Sequence, residues 1–161
     1  MAGPVRVLLV DDEPDFHETI GFWLKSKGHQ VITATSGAQG LQHVRNAEAD
    51  IIFLDVMMPK MDGIETLRRI RAFNKTIPVI LVTASNLTDE NQYAGARALG
   101  ISGLFPKGSG LPVLSQVMEV AIRCLKPSAS VSAGPSQGAG GPAGLRGWLA
   151  TYLPFLSKPK T

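Results

Sequence analysis

Short apolar runs alternate along the chain with longer segments whose apolar residues recur every three or four positions. We predict strands at the apolar runs, namely at residues 5–10, 31–34, 51–54, 79–82 and 104–105. Several of these runs are apolar at consecutive positions, which is typical of parallel strands that are covered on both faces. The pattern therefore predicts a parallel sheet buried between two layers.

The segments between the runs have the periodicity of amphipathic helices. We predict that the first helix begins at Pro14, which suits a first helical turn, and ends at Gly28. Its apolar face consists of Phe16, Ile20, Trp23 and Leu24. The other helices are predicted at residues 37–47, 63–73, 87–99 and 111–125. Five strands alternating with five helices indicate a three-layer α/β sandwich with right-handed crossovers.

The composition changes after residue 126, and this change predicts the domain organisation. In residues 127–144, 12 of 18 positions are Gly, Pro or Ser, which is typical of a flexible linker because little apolar surface is available to offset the entropy of ordering. Residues 145–161 have apolar side chains at helical spacing together with Arg146, Lys158 and Lys160. We therefore predict a folded domain at residues 1–126, a linker at 127–144 and a short amphipathic basic tail at 145–161.

The charge of the chain is unevenly distributed. The net charge is +3, but all 13 acidic residues lie at or before Glu119 and the excess of basic residues lies in the tail. Cys124 is the only cysteine, so no intrachain disulfide can form. No apolar run approaches the roughly 20 residues that a membrane span needs. These features predict a cytoplasmic protein.

Polar side chains follow four of the predicted strands where each strand ends. Asp11 and Asp12 follow the first strand, Asp55 the third, Thr83 the fourth and Lys107 the fifth. Because the carboxyl ends of parallel strands share one edge of a sheet, we expect these side chains to converge there. Consecutive carboxylates repel one another unless a cation or open solvent relieves them. Clustered carboxylates suit Mg²⁺, and an aspartate beside a lysine and a threonine suits phosphoryl transfer.

Simpler interpretations exist for each of these residues taken alone. Asp11 and Asp12 could form a solvated turn, Thr83 could cap a strand end and Lys107 could be a surface amine. For Glu13 and Asp15 we favour the simpler interpretation, that of charges that stabilise a helix N-terminus. For the other residues the coincidence at successive strand ends favours a functional site.

The sequences "VDDEP", "LDVMMPKMDG", "VTAS" and "FPKG" resemble, in order and spacing, the four signature stretches of one family. This family comprises the receiver domains of bacterial two-component response regulators, and the resemblance covers residues 5–126. It implies a flavodoxin-like (βα)5 fold, in which a doubly wound parallel sheet has the strand order 2-1-3-4-5. It also implies a signalling protein rather than an enzyme, one that catalyses only its own phosphorylation and dephosphorylation.

The resemblance implies a role for each residue that matches a family motif. Asp55 would accept a phosphoryl group from a histidine of a sensor kinase or of a histidine phosphotransfer protein. Mg²⁺ would be held by Asp11, Asp12 and Asp55, with the backbone carbonyl of Met57 as a further ligand.

The other matched positions would serve the phosphoryl group. Thr83 would bind a phosphoryl oxygen and shift on phosphorylation, while the small Ala84 would leave room for the incoming group. Lys107 would pair with Asp55 and then with the phosphate.

Leu104 departs from the family pattern, because the family commonly has Tyr or Phe three residues before the lysine. Phe105 is adjacent, but alternation along a strand places it on the opposite face of the sheet. We therefore expect switching to rely on Thr83 and on backbone movement of the fourth helix and fifth strand.

The output of the domain is predicted to be contact with another protein. Only 17 residues follow the linker, too few for a DNA-binding domain, so the leading hypothesis is a stand-alone regulator whose phosphorylated state controls binding to a downstream effector protein. One alternative is a phosphorelay carrier that passes the phosphoryl group to another histidine. A further possibility is an adaptor that contacts a membrane or a partner through residues 145–156.

Overall fold

The computed structural model describes residues 3–84 and 90–125, without the side chains of residues 90–93. The predicted linker and tail at residues 127–161 lie outside the described residues. The strands are β1 (Arg6–Val10), β2 (Gln30–Ala34), β3 (Ile51–Asp55), β4 (Val79–Thr83) and β5 (Gly103–Pro106). The helices are α1 (Pro14–Ser26), α2 (Gly37–Arg45), α3 (Gly63–Phe73), α4 (Glu90–Ala98) and α5 (Leu111–Leu125).

All five strands are parallel and follow the order β2-β1-β3-β4-β5, which confirms the predicted flavodoxin-like topology. The register aligns Val10 of β1 with Leu54 of β3, and Asp55 of β3 with Val82 of β4. It also aligns Thr83 with Pro106 of β5. The ends of β1, β3, β4 and β5 therefore lie along one edge of the sheet.

The two faces of the sheet bury different side chains, because neighbouring residues of a strand point in opposite directions. On one face, Leu8, Leu54 and Leu81 belong to a buried cluster that also includes Leu67 of α3. Burial of such side chains stabilises the fold by roughly 1.5 to 3 kcal/mol each.

The opposite face carries an aromatic group. Phe105 of β5 packs against Phe16 of α1, with ring centroids 6.4 Å apart, and against Phe53 of β3 at 6.3 Å. On this face α5 comes so close to the sheet that a Cβ on Gly103 would lie 3.7 Å from Val117. Helices thus cover both faces of the sheet, as the apolar runs predicted.

Several predicted boundaries differ from those in the structure. Helix α2 ends at Arg45 rather than residue 47, because Ala47 adopts the left-handed conformation with φ 54°. Strand β5 extends by one residue at each end, and α4 is described from Glu90 to Ala98, with residues 87–89 outside the described part. Trp23, predicted on the apolar face of α1, is only half-buried and has the Lys27 ammonium 5.7 Å from its ring centroid.

Among residues 3–84 and 90–125, we find no helix with the length and apolar character that a membrane crossing requires.

Candidate functional site

The end of β1 supplies one buried and one exposed carboxylate. Asp11 is 0% exposed, and its backbone N–H donates to the carbonyl oxygen of Ala34 at 3.0 Å. Its Oδ1 accepts the backbone N–H of Glu13 at 2.8 Å, which closes a tight turn before α1. Asp12, between them, is exposed to solvent.

The end of β3 supplies Asp55, which is 2% exposed. Its Oδ1 accepts the backbone N–H of Met57 at 3.2 Å, while the Met57 side chain is 68% exposed. The start of α3 packs tightly behind Asp55, because a Cβ on Gly63 would lie 2.1 Å from the Asp55 carbonyl oxygen. Only glycine fits there without a backbone shift. Asp62 caps α3 by accepting the Glu65 N–H at 2.8 Å, and the predicted start of this helix at residue 63 is confirmed.

The ends of β4 and β5 supply Thr83 and Lys107. Thr83 is the last residue of β4 and is 2% exposed, and Ala84 after it is exposed. The carbonyl oxygen of Thr83 accepts the backbone N–H of Lys107 at 2.7 Å, which ties the turn after β5 to the end of β4.

The ammonium of Lys107 lies among three carboxylates. Its Nζ is 2.8 Å from Asp11 Oδ2, 2.9 Å from Glu13 Oε1 and 3.3 Å from Asp55 Oδ2. The ring centroid of Phe16 lies 5.3 Å from the same nitrogen, a separation at which a cation is attracted to an aromatic face. The lysine side chain is 20% exposed, so these contacts are partly shielded from water.

Asp11, Asp12 and Asp55 form what we call the acidic triad. Each offers one carboxylate oxygen, and the three oxygens lie within 4.8 Å of one another. Hard carboxylate oxygens on a rigid strand edge are the ligands that Mg²⁺ prefers in proteins. Buried carboxylates are also costly unless a positive charge accompanies them. The donor set of the acidic triad therefore fits a hard divalent cation.

The electrostatics of the site follow from burial and crowding. The pKa of Asp55 is raised to about 6, mainly by burial and then by the nearby Asp11 carboxylate, against the opposing effects of Lys107 and the Met57 N–H. Burial lowers the pKa of Lys107, but its contacts with Asp11, Glu13 and Asp55 outweigh that effect and the net shift is upward. At neutral pH the site thus holds an ammonium beside an ionised Asp55.

The structure therefore gathers Asp11, Asp12, Asp55 and Lys107 and places Thr83 at the same sheet edge. Met57 joins them through its backbone, while its side chain faces solvent.

Glu13 is a site residue that the sequence analysis missed. It occupies the N-cap position of α1, yet its side chain reaches Lys107, so its interpretation only as a helix N-terminal charge was incomplete. The sequence feature that could have indicated Glu13 as a site residue is the acidic run at residues 11–13. The partner could not be predicted, because Lys107 lies 94 positions further along the chain.

Leu104 and Phe105 lie on opposite faces of the sheet, as strand alternation predicted. Leu104 is partly buried against the cluster that contains Leu81, whereas Phe105 packs with the aromatic rings of Phe16 and Phe53. No aromatic side chain therefore stands at position 104, where the family commonly has one.

Comparisons with known proteins agree with this geometry. The family model described as "Response regulator receiver domain" matches residues 7–119. Response regulator MprA of Mycobacterium sp. (strain KMS) is 34% identical over 124 residues, which cover 77% of this chain and 53% of MprA. The probable transcriptional regulatory protein TcrX of Mycobacterium tuberculosis is 38% identical over 97 residues, which cover 60% of this chain and 41% of TcrX. This chain thus spans about half the length of these curated relatives.

Solved structures give the same result. The chemotaxis protein CheY4 of Vibrio cholerae superposes with a TM-score of 0.67 at 26% identity, over 73% of this chain and 98% of that one. The crystal structure of FixJ-N superposes with a TM-score of 0.66 at 25% identity, over 74% of this chain and 94% of that one. Receiver domains are signalling domains that bind Mg²⁺ at an acidic pocket, and response regulators work with histidine kinases and effectors. With its strand order, acidic triad and matched region, this chain belongs to the response regulator receiver domain family.

Proposed function

We propose that Asp55 accepts a phosphoryl group from a phosphohistidine of a sensor kinase or histidine phosphotransfer protein. In the same proposal, the phosphorylated state controls binding to a downstream effector protein. The observation that carries this proposal is the position of Asp55, whose Oδ2 lies 3.3 Å from Lys107 Nζ inside the acidic triad.

The transfer is a substitution at phosphorus. An oxygen of the Asp55 carboxylate forms a new P–O bond while the P–N bond to the donor imidazole breaks, giving an acyl phosphate on Asp55 and an imidazole that takes up a proton. The raised pKa of Asp55, about 6, leaves the carboxylate ionised at neutral pH and more basic than an ordinary aspartate. Both properties favour its attack on phosphorus.

Mg²⁺ would be held by Asp11, Asp12 and Asp55, with the backbone carbonyl of Met57 as a further ligand. When bound, the ion supplies positive charge that neutralises the phosphoryl oxygens. Lys107, whose Nζ lies 3.3 Å from Asp55 Oδ2, would add a second positive charge.

Thr83 and Ala84 complete the proposed site at the end of β4. The Thr83 hydroxyl would donate to a phosphoryl oxygen, and the exposed, small Ala84 leaves space for that group. Because Leu104 offers no aromatic ring, the change of state would be transmitted through Thr83 and the backbone of α4 and β5.

Intact mass spectrometry after incubation with Mg²⁺ and acetyl phosphate tests the acceptor. We expect wild type to gain the mass of one phosphoryl group and Asp55→Asn to gain none. Asp62→Asn is the matched control, because asparagine also caps a helix and residue 62 lies outside the acidic triad. Labelling of Asp55→Asn to the wild-type level would overturn the proposal.

The form of the output stays a prediction. From the sequence we expect output by contact with an effector protein, without a DNA-binding domain. The matched regions cover only 53% of MprA and 41% of the probable transcriptional regulatory protein TcrX, so the comparisons do not test this expectation. The phosphorelay alternative makes a distinct prediction, namely that phosphorylated protein returns its phosphoryl group to a purified histidine phosphotransfer protein.

A further inference from the structure

Glu13 stands outside the acidic triad but shares the cation that neutralises it. Lys107 Nζ lies 2.9 Å from Glu13 Oε1, 2.8 Å from Asp11 Oδ2 and 3.3 Å from Asp55 Oδ2. The Lys107 ammonium donates hydrogen bonds to Glu13 and Asp55, whereas its contact with Asp11 Oδ2 is an ion pair without hydrogen-bond geometry. Two of the three carboxylates are also candidate ligands of the divalent cation, whereas Glu13 is not part of that group.

The turn before α1 fixes the backbone of Glu13. Its N–H is held by Asp11 Oδ1 at 2.8 Å, its φ and ψ are −91° and 117°, and α1 begins at the next residue, Pro14. Within the described residues, the Glu13 side chain makes no capping hydrogen bond to α1. The carboxylate is therefore available to Lys107, and it lies at the rim, with its side chain 61% exposed.

Lys107 and a divalent cation at the acidic triad would share the carboxylates of Asp11 and Asp55. A cation held by the acidic triad would draw on the charge of Asp11 and Asp55 and would repel the Lys107 ammonium at short range. Lys107 therefore needs a partner outside the triad when a cation binds. Glu13 is already in contact with it and meets that need.

We propose that Glu13 is a positioning residue that draws Lys107 toward the rim and so makes room for the divalent cation. This inference rests on the proposed function, because it concerns the Mg²⁺ of that site. Glu13 acts through Lys107 rather than on the reacting atoms. With Glu13→Gln the ammonium is left with Asp11 and Asp55, and Mg²⁺ has to displace it from both.

Calorimetric titration of Mg²⁺ into the full chain tests this role in a double-mutant cycle. Glu13→Gln is expected to weaken Mg²⁺ binding about threefold to tenfold, which lies within the range of coupling between groups in contact. Lys107→Met is expected to tighten binding, because it removes the competing cation. In the Lys107→Met background, Glu13→Gln should change the Mg²⁺ affinity no more than Asp15→Asn does. Asp15→Asn is the control, because it removes an exposed carboxylate from the first turn of the same helix.

Two results would overturn the inference while leaving the proposed function standing. One is a Mg²⁺ affinity of Glu13→Gln equal to that of wild type. The other is an equal loss of Mg²⁺ affinity from Glu13→Gln in the wild-type and Lys107→Met backgrounds, which would mean that Glu13 acts on the cation only through its own charge. A wild-type chain that binds no Mg²⁺ would remove the metal site itself, and with it both proposals. That failure is recognisable before any variant is compared.

Discussion

Asp55 is held in a position where both burial and a neighbouring carboxylate oppose its ionisation. Its side chain is almost completely buried, and its pKa is raised to about 6 by burial and then by Asp11, against the opposing effect of Lys107. An acid whose pKa is higher in the folded than in the unfolded chain destabilises the fold once it is ionised. The metal-free protein therefore carries an unfavourable charge at its proposed acceptor.

In EDTA, Asp55→Asn should stabilise the fold in a pH-dependent manner. The unfolded carboxyl has a pKa near 3.9, so the cost of its ionisation is absent below that value, grows up to about pH 6 and is complete above it. We expect the variant to gain on the order of 2 to 3 kcal/mol in free energy of unfolding at pH 7.5 and little at pH 4. Urea denaturation at the two pH values measures both gains.

Asp62→Asn serves as the control for this measurement, because it removes an exposed carboxyl that caps α3 and does not belong to the acidic triad. A gain for Asp55→Asn of equal size at pH 4 and pH 7.5 would contradict the proposed charge effect. So would a loss of stability at pH 7.5.

At the scale of elements, Gly63 shows how the start of α3 fixes the end of β3. Its N–H donates to the carbonyl oxygen of Val56 at 2.9 Å, and the helix backbone passes so close to β3 that there is no room for a side chain. The atoms that a Cβ would meet are backbone atoms of Asp55 and Val56, which cannot move aside without moving the acceptor.

Gly63→Ala is therefore expected to destabilise the fold by about 1 to 3 kcal/mol through overpacking. It should also slow labelling of Asp55 by acetyl phosphate, because the end of β3 must shift. Gly95→Ala is the matched control, since a Cβ there meets no atom of the described residues within 4 Å and alanine favours a helix. Thermal unfolding and the labelling rate of both variants test this, and a Gly63→Ala protein as stable as Gly95→Ala would contradict it.

Most elements could be predicted from the sequence, because strands buried on both faces are apolar at successive positions and helices are periodic. The boundaries were less predictable. Strand β5 was expected only at residues 104–105, since Gly103 and Pro106 are ordinarily strand-breaking residues, yet both belong to the strand in this sheet. The early end of α2 depends on the left-handed backbone of Ala47, for which the apolar pattern gives no signal.

At the scale of the whole molecule, topology brings the site together. The ends of β1, β3, β4 and β5 share one edge, so residues from 11 to 107 meet around one ammonium. This convergence was predictable, because any parallel sheet gathers its strand ends. The contact of Glu13 with Lys107 was not, because it depends on side-chain reach between two loops rather than on strand order.

The most direct test of Asp55 as acceptor is chemical trapping of the phosphoryl group on the whole chain. After incubation with Mg²⁺ and acetyl phosphate, borohydride reduces an aspartyl phosphate to homoserine, and peptide mass spectrometry locates the reduced position. We predict homoserine at position 55 in Mg²⁺ and none in EDTA. Homoserine at position 11 or 12 instead, or at position 55 regardless of the metal, would contradict a Mg²⁺-dependent acceptor at the end of β3.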